Sequence, residues 1–230
     1  MPRSIVATLA VLLLCASAVA AQDKISVLFE VGGTKAHDAV KLPAMLKKVL
    51  EDTGRFSITI SQDRDLFKAE RIAKFDVVML YTTRVELSPE QEKGLIEFVD
   101  KGGGLVSIHS STSMDMKSDA FWKLVGGRFL KHGAGKFKVK NTGKSHPIVQ
   151  GMSDFEVTDE TYRHTFCPQS KLITLMRRES DGEPVTWVQY YGRGRVFDTA
   201  LGHDLRTWSD PNFQQLITRA LDWAAGKLNP

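Results

Sequence analysis

Three of the six histidines in this 230-residue sequence stand directly after stretches that read as β-strands. His37 follows the apolar run Ile25–Val31, at the end of Gly32-Gly33-Thr34-Lys35-Ala36-His37-Asp38. His109 follows Leu105-Val-Ser-Ile108, and His203 follows the strand around Val196–Ala200. Imidazole titrates near neutral pH, so it serves as acid or base, and in its neutral form it is a common ligand of divalent metals. A fourth polar group is Asp159-Glu160-Thr161-Tyr162-Arg163-His164. If 155–159 is a strand, Glu160 and Tyr162 leave its end on one side. A carboxylate and a phenol facing a rim of histidines can hold sugar hydroxyls or exchange protons. The plainer alternative is a solvated strand end with an ion pair to Arg163.

Other chemistries find less support. Gly32-Gly33 belongs to neither G-x-G-x-x-G nor G-x-x-x-x-G-K-[ST], so it reads as a tight turn that lets His37 approach the rim rather than a phosphate cradle. Lys101-Gly102-Gly103-Gly104 precedes its strand and reads as a helix stop. Ser110 and Ser111 lack the flanking glycines of a G-x-S-x-G nucleophile elbow. Cys167, in Phe166-Cys167-Pro168, has neither a strand-to-helix turn nor a helix N-terminus to activate it, and reads as a small buried filler.

The elements that must position these residues alternate. A strand at Ile25–Val31 leads to helical spacing over 39–53, through Val40, Met45, Leu46, Val49 and Leu50, with Gly54 as the stop. Phe56–Ile60 alternates as a strand, a weak helix spans about 65–73, and Asp76–Tyr81 is a second apolar run. Ser88-Pro89-Glu90-Gln91 carries a capping box and an N1 proline, so a helix runs from there to Lys101. The Leu105–Ile108 strand follows. Short loops and continuously apolar strands mean a parallel sheet covered on both faces. In the second half, Phe137–Val139, Phe155–Val157, Leu172–Met176, Val185–Tyr190 and Arg195–Thr199 read as strands with few helices between them, hence antiparallel additions or a flanking ribbon. A last helix opens at Asp210-Pro211 and ends at Gly226. Ligands of open parallel sheets bind outside the carboxyl ends of the strands, which puts His37, His109 and His203 on one rim.

Composition narrows the class. An apolar share of 42% with 25% charged residues is that of a globular chain and excludes disorder, collagen and coiled coil. The net charge of +4 is spread thinly, without a basic stripe, which argues against a nucleic-acid partner. Residues 1–21 read as a secretory signal: Arg3, the apolar stretch Ile5–Leu14, then Ala18-Val19-Ala20 before cleavage after Ala20 or Ala21. A lipoprotein signal ending at Cys15 fits less well, because Leu14 is a poor neighbour for lipid attachment. The expected mature protein is exported, periplasmic or secreted. It is one domain over 22–230 with Cys167 as its lone cysteine and no internal disulfide. No later segment reaches the ~20 apolar residues of a membrane helix.

The ordered motifs resemble a known family. They are Gly-Gly-x-x-x-His-Asp after the first strand, Gly-Gly-Gly-Leu-Val-x-Ile-His-Ser, Val-Gly-Gly-Arg-Phe-x-x-His at 125–132, His146-Pro147-Ile148 and Asp159-Glu160-x-Tyr162. Pro184-Val-x-Trp187, Tyr191-Gly-x-Gly-Arg-Val-Phe197, Ala200-Leu-Gly-His203 and Trp223-Ala-Ala-Gly226 follow. Together, over about 24–228, they resemble the ThuA-like proteins associated with trehalose utilisation. The resemblance implies a flavodoxin-like α/β fold of the class I glutamine amidotransferase-like superfamily and a link to disaccharide or keto-sugar metabolism. It does not imply glutaminase chemistry. The elbow reads Ile108-His109-Ser110 without a cysteine, and the later histidine reads His203-Asp204-Leu205 without the His-x-Glu glutamate.

What the resemblance leaves is a histidine-rich rim of His37, His109, His132 and His203, with Glu160 added by the family motif. His146 reads as a turn-former, and His164 has no assignment. Two chemistries fit. Neutral imidazoles with a carboxylate can hold Zn²⁺ or a related divalent ion, although the spacing is no compact signature such as H-E-x-x-H. Alternatively His and Glu act as acid and base on a keto-sugar. On these grounds His109, His203 and Glu160 are candidate catalytic groups, and His37, Asp38 and Tyr162 candidate substrate contacts. His37, His109, His132 and His203 are candidate metal ligands. The resemblance implies a small carbohydrate as the partner. A non-catalytic sugar-binding domain is the alternative, and it predicts Trp187, Tyr191 or Trp208 exposed on a flat face.

Overall fold

A computed structural model describes residues 23–228, so the segment read as a signal peptide lies outside the described residues. The chain alternates β1 (Ile25–Gly33), α1 (Lys41–Asp52), β2 (Phe56–Ser61), α2 (Ala69–Ile72), β3 (Val77–Thr83), α3 (Pro89–Asp100) and β4 (Gly104–Ile108). Then come α4 (Asp119–Val125), β5 (Gly127–Lys131), β6 (Ala134–Asn141), β7 (Phe155–Glu160), β8 (Arg163–Phe166), β9 (Ile173–Arg178), β10 (Pro184–Tyr191) and β11 (Gly194–Thr199). The last elements are α5 (Leu205–Trp208) and α6 (Pro211–Ala224). Nine strands form one sheet in the order β2-β1-β3-β4-β11-β10-β9-β6-β7, and β5 pairs with β8 as a separate ribbon.

The first five strands of that order run parallel, and each pairing from β11 outwards is antiparallel. This is the parallel α/β sheet with antiparallel C-terminal additions that the sequence indicates. The alternation has a consequence for the site. Four reversals from β11 to β7 leave β7 pointing the same way as β11, so Glu160, its last residue, ends on the rim shared by β1, β3, β4 and β11.

Side chains on successive strand positions go to opposite faces. Val27, Phe29 and Val31 of β1, with Val106 and Phe197, pack under Leu42, Leu46 and Leu50 of α1 and Phe213, Leu216 and Leu221 of α6. Leu28, Val78, Leu105 and Val196 face Leu95 and Val99 of α3 and Phe121 and Leu124 of α4. The α3 start is the capping box read from the sequence, with Ser88 Oγ accepting from Gln91 N–H and Gln91 Oε1 from Ser88 N–H. The expected helix over 65–73 is instead a 3-10 turn at Arg64–Phe67 followed by the single turn α2. A flanking ribbon is present, but it is built from β5 and β8, which are not among the strands read from the sequence, and neither is helix α4. Two turns of helix, capped by Ser118 and ended by Gly126 at φ 83°, are too short to show a periodic stripe.

Glu30 interrupts the apolar face of β1. It is fully buried, its carboxylate oxygens have no hydrogen bond, and the nearest cation, Arg64 Nε, is 3.9 Å away. Burial pushes its pKa up to about 7, with Arg64 pulling the other way. Folding therefore favours the protonated acid. This contribution is fully present below the unfolded value near 4.5 and is lost as pH rises through about 7. The shift corresponds to roughly 3 kcal/mol at most. Glu30→Gln should lose this pH dependence, gaining about 2 kcal/mol on the wild type between pH 5 and pH 8 in urea melts of metal-free protein. Parallel stability curves for the two proteins would show that Glu30 stays ionised.

Candidate functional site

His37 is brought to the rim by Gly32 and Gly33, at φ 123° and 98°. Its Nδ1 lies 3.0 Å from Thr83 Oγ1, which donates to Ser110 Oγ at 2.7 Å, which in turn donates to the Thr82 carbonyl. The chain has one direction. A carbonyl only accepts, so Ser110 must give its proton to Thr82 and accept from Thr83, and Thr83 must accept from His37. His37 therefore carries its proton on Nδ1 and presents a bare Nε2. Burial, then the neighbouring imidazoles His109 and His203, lower its pKa to about 3, so it is neutral at ordinary pH.

His109 is held in the same way. It is fully buried just past the end of β4, at φ 53°, as the first residue of a 3-10 turn over His109–Ser113. A side chain other than glycine in this left-handed region is strained, and here the strain aims the imidazole off the strand end. Nδ1 lies 2.7 Å from the Ala200 carbonyl, which fixes a proton there, so that in the neutral ring Nε2 is the free nitrogen. Ser110 is part of the His37 chain rather than a nucleophile. His203 follows Gly202 at φ 126°, and its Nδ1 is buried without a hydrogen-bond partner.

These three rings meet. Their centroids are 4.9 Å apart for His37 and His109, 5.2 Å for His37 and His203, and 5.6 Å for His109 and His203. Glu160 completes the group: one carboxylate oxygen lies 3.2 Å from His109 Nε2 and 3.4 Å from His203 Nδ1. One ligand atom from each of His37, His109, Glu160 and His203 falls within 4.8 Å of the others. Tetrahedral ligands at about 2.05 Å from Zn²⁺ stand about 3.3 Å apart, which the two Glu160 distances already match. The His37 and His109 Nε2 atoms have no hydrogen-bond partner, and neither has His203 Nδ1. Burial works to raise the Glu160 pKa, but the imidazoles of His109, His203 and His132 around it lower it by more, so the group stays a carboxylate.

The other expected site residues are placed differently. His132, on the loop after β5, reaches the second oxygen of Glu160 with Nδ1 at 3.2 Å and is half exposed, so it stands outside the four-residue group, where Glu160 takes its place. Asp38 is exposed and accepts from Val40 and Lys41 N–H at 3.1 and 2.8 Å, so it is committed to the turn that opens α1 rather than facing the group. Tyr162 is buried and stacks on His109 at 4.3 Å, with Phe129 edge-on behind it at 4.7 Å. Burial and the Glu160 charge keep its hydroxyl protonated well above the ordinary phenol range. His164 is buried beside Glu183, and His146 sits edge-on to Trp223 in a turn. Trp187 and Trp208 are core residues, with indole N–H groups donating to Val125 and Gly202 carbonyls. They form no exposed aromatic platform. Cys167 is free, buried and away from the group.

Thr83, Tyr81 and Asp159 belong to the site although the sequence carries no signal for the first two and assigns Asp159 no role of its own. Tyr81 donates to the Gly202 carbonyl at 3.2 Å beneath His37. Thr83 carries no sequence signal, whereas Asp159 sits beside Glu160 in an acidic pair that draws attention to its neighbour first.

A mostly parallel sheet with a strained elbow after a central strand defines the class: an α/β protein of the glutamine amidotransferase-like fold, with imidazole where that chemistry needs a thiol. The chain belongs to the ThuA family, described by trehalose utilisation, whose profile matches residues 24–224. A ThuA-like protein from Parabacteroides merdae superposes with a TM-score of 0.79 at 23% identity, over 90% of this chain and 92% of that one. A second, from Bacteroides uniformis, gives 0.73 at 18%, over 89% and 93%. A GMP synthase protein from Thermoplasma acidophilum gives 0.59 at 11%, over 89% and 96%. No curated protein sequence matches the chain.

Proposed function

We propose that this protein is a divalent-metal enzyme acting on a small carbohydrate, a disaccharide or keto-sugar, with His37, His109, His203 and Glu160 as the ligands. One observation carries the metal. Three imidazole nitrogens and a carboxylate oxygen converge, and the hydrogen-bond directions at Thr83 and Ala200 put the Nδ1 protons of His37 and His109 on the far side, so that in the neutral rings both Nε2 atoms are free to ligate. Four Lewis bases facing one another call for a cation between them, and the outward nitrogens of His37 and His109, fixed by a hydroxyl and a carbonyl, follow the outer-shell pattern of metal-bound histidine. The donor set of imidazoles and one carboxylate suits Zn²⁺ and its neighbours.

When bound, such an ion polarises a sugar carbonyl or lowers the pKa of water. The chain's own residues supply the rest. Tyr162 walls the group on one side and holds the His109 ring flat. His132, exposed and on the free oxygen of Glu160, can hold a proton between the group and solvent. The carbohydrate class is supported by the family's description and by the polar rim. Thiolate chemistry on glutamine is left out because the elbow carries His109. Export belongs to the same proposal and rests on Arg3, the apolar stretch and Ala18-Val19-Ala20.

Protein isolated from its native host should begin at Ala21 or Gln22 by intact mass and retain about one divalent ion per chain by elemental analysis. Screened against trehalose, other disaccharides and their 3-keto derivatives, it should turn over at least one, and chelation should stop the reaction. Failure to take up Zn²⁺, Co²⁺, Mn²⁺ or Ni²⁺ would remove the metal. Turnover that survives chelation would favour acid–base work by the same residues, and Met1 at the mature N-terminus would remove export.

A further inference from the structure

We infer that Asp159 is a positioning residue for the four-residue group: a clasp that holds the outermost strand of the sheet over the strand-end loops and sets the His203–Glu160 half of the site. The inference rests on the metal-centre reading above and goes beyond its ligands. Strand β7 lies at one edge of the sheet, four strands away from β11. Nothing in the ladder brings its end to His109 or His203. Asp159 does. Its carboxylate is buried, and each oxygen accepts twice. Oδ1 takes the backbone N–H of Glu160 at 2.7 Å and of His203 at 3.1 Å, and Oδ2 takes Gly202 N–H at 2.8 Å and the Thr207 hydroxyl of α5 at 2.7 Å.

Four donors fill the lone-pair directions of a carboxylate, so this side chain is fully committed. Its partners are the backbones of two proposed ligands, Glu160 and His203, and of the glycine that turns the chain into His203. Charge-assisted bonds of this kind are about twice as strong as neutral ones, and burial strengthens them further. The other half of the site is held separately: His37 by Thr83 and Ser110, His109 by Ala200. Loss of Asp159 should therefore displace one half and leave the other.

Asp159→Asn is the test, because the amide keeps the shape and turns one acceptor oxygen into a donor facing two other donors. The dissociation constant for Zn²⁺ or Co²⁺ should rise 10- to 100-fold, the range for outer-shell partners. The visible bands of the Co²⁺ protein should shift. Thr207→Val, which removes one of the four bonds, should show a smaller change in the same direction. Val139→Ala, a buried residue of β6, serves as a stability control and should bind as the wild type does. Should Asp159→Asn lower only the melting temperature, with affinity and cobalt spectrum intact, the clasp is merely structural and the inference falls. Should the wild type bind no metal, the metal reading fails and the clasp is judged on ring ¹⁵N shifts of the metal-free protein. Asp159→Asn should then move His203 and leave His37 in place, and an unmoved His203 would overturn it.

Discussion

If the proposed metal centre is right, His109→Ala should abolish divalent-metal binding and, with it, any turnover that depends on the ion. The imidazole is fully buried, its Nδ1 is committed to the Ala200 carbonyl, and its Nε2 is one of the converging atoms. Removing an outer-shell partner costs up to about 100-fold in metal affinity, so loss of a ligand should exceed that. The backbone adds a way to separate binding from folding. At φ 53° an alanine keeps the left-handed strain, whereas glycine relieves it. His109→Gly should therefore be more stable than His109→Ala by about 1 kcal/mol in urea, while both lose the metal equally. Dialysis against Zn²⁺ with elemental analysis checks the first part. A His109→Ala protein that keeps one ion per chain while its turnover collapses would make His109 a base rather than a ligand.

What could be read ahead of the structure follows from how the sheet is wired. His37, His109 and His203 end parallel strands, and parallel strands share a carboxyl edge, so their convergence follows from strand order alone. Glu160 is harder. Its place on the same rim depends on four successive strand reversals and on an edge strand reaching back over the sheet, and neither leaves a local trace. The polar cluster at 159–164 marks it as a carboxylate at a strand end, and the family motif adds it to the rim. Asp38 shows a different failure: an aspartate just before a helix can turn inward to a ligand or fold back on the chain, and its bonds to Val40 and Lys41 N–H commit it to the turn that opens α1. His132 sits on the loop after β5, a strand without a sequence signal, and that loop takes it to the outer oxygen of Glu160. Thr83 was illegible because it looks like any residue of a buried apolar strand. Only the register that pairs β1 with β3 and carries Gly33 opposite Thr83 puts its hydroxyl near His37.

That register carries the other large expectation. Gly33→Ala should destabilise the fold by about 3 kcal/mol and weaken the metal site with it. The backbone at Gly33 has φ 98°, outside the range L side chains tolerate, and a Cβ there would stand 2.0 Å from the Thr83 carbonyl oxygen. Strained dihedrals cost about 1–3 kcal/mol, and forcing extra atoms into packed structure costs about 1–3 kcal/mol more, partly shared as the strands part. Parting β1 from β3 moves the two residues that orient His37. Thr34 N–H bonds to the Thr83 carbonyl at 3.3 Å, and the Thr83 hydroxyl receives the His37 proton. Gly54→Ala is the comparison: φ is 75°, but a Cβ there meets nothing within 4 Å, so it should cost only about 1 kcal/mol and leave metal binding alone. Urea melts and Zn²⁺ titrations of the two variants decide it. If Gly33→Ala proves as mild as Gly54→Ala and binds metal normally, then the close approach of β1 to β3 is not what holds His37 in the group.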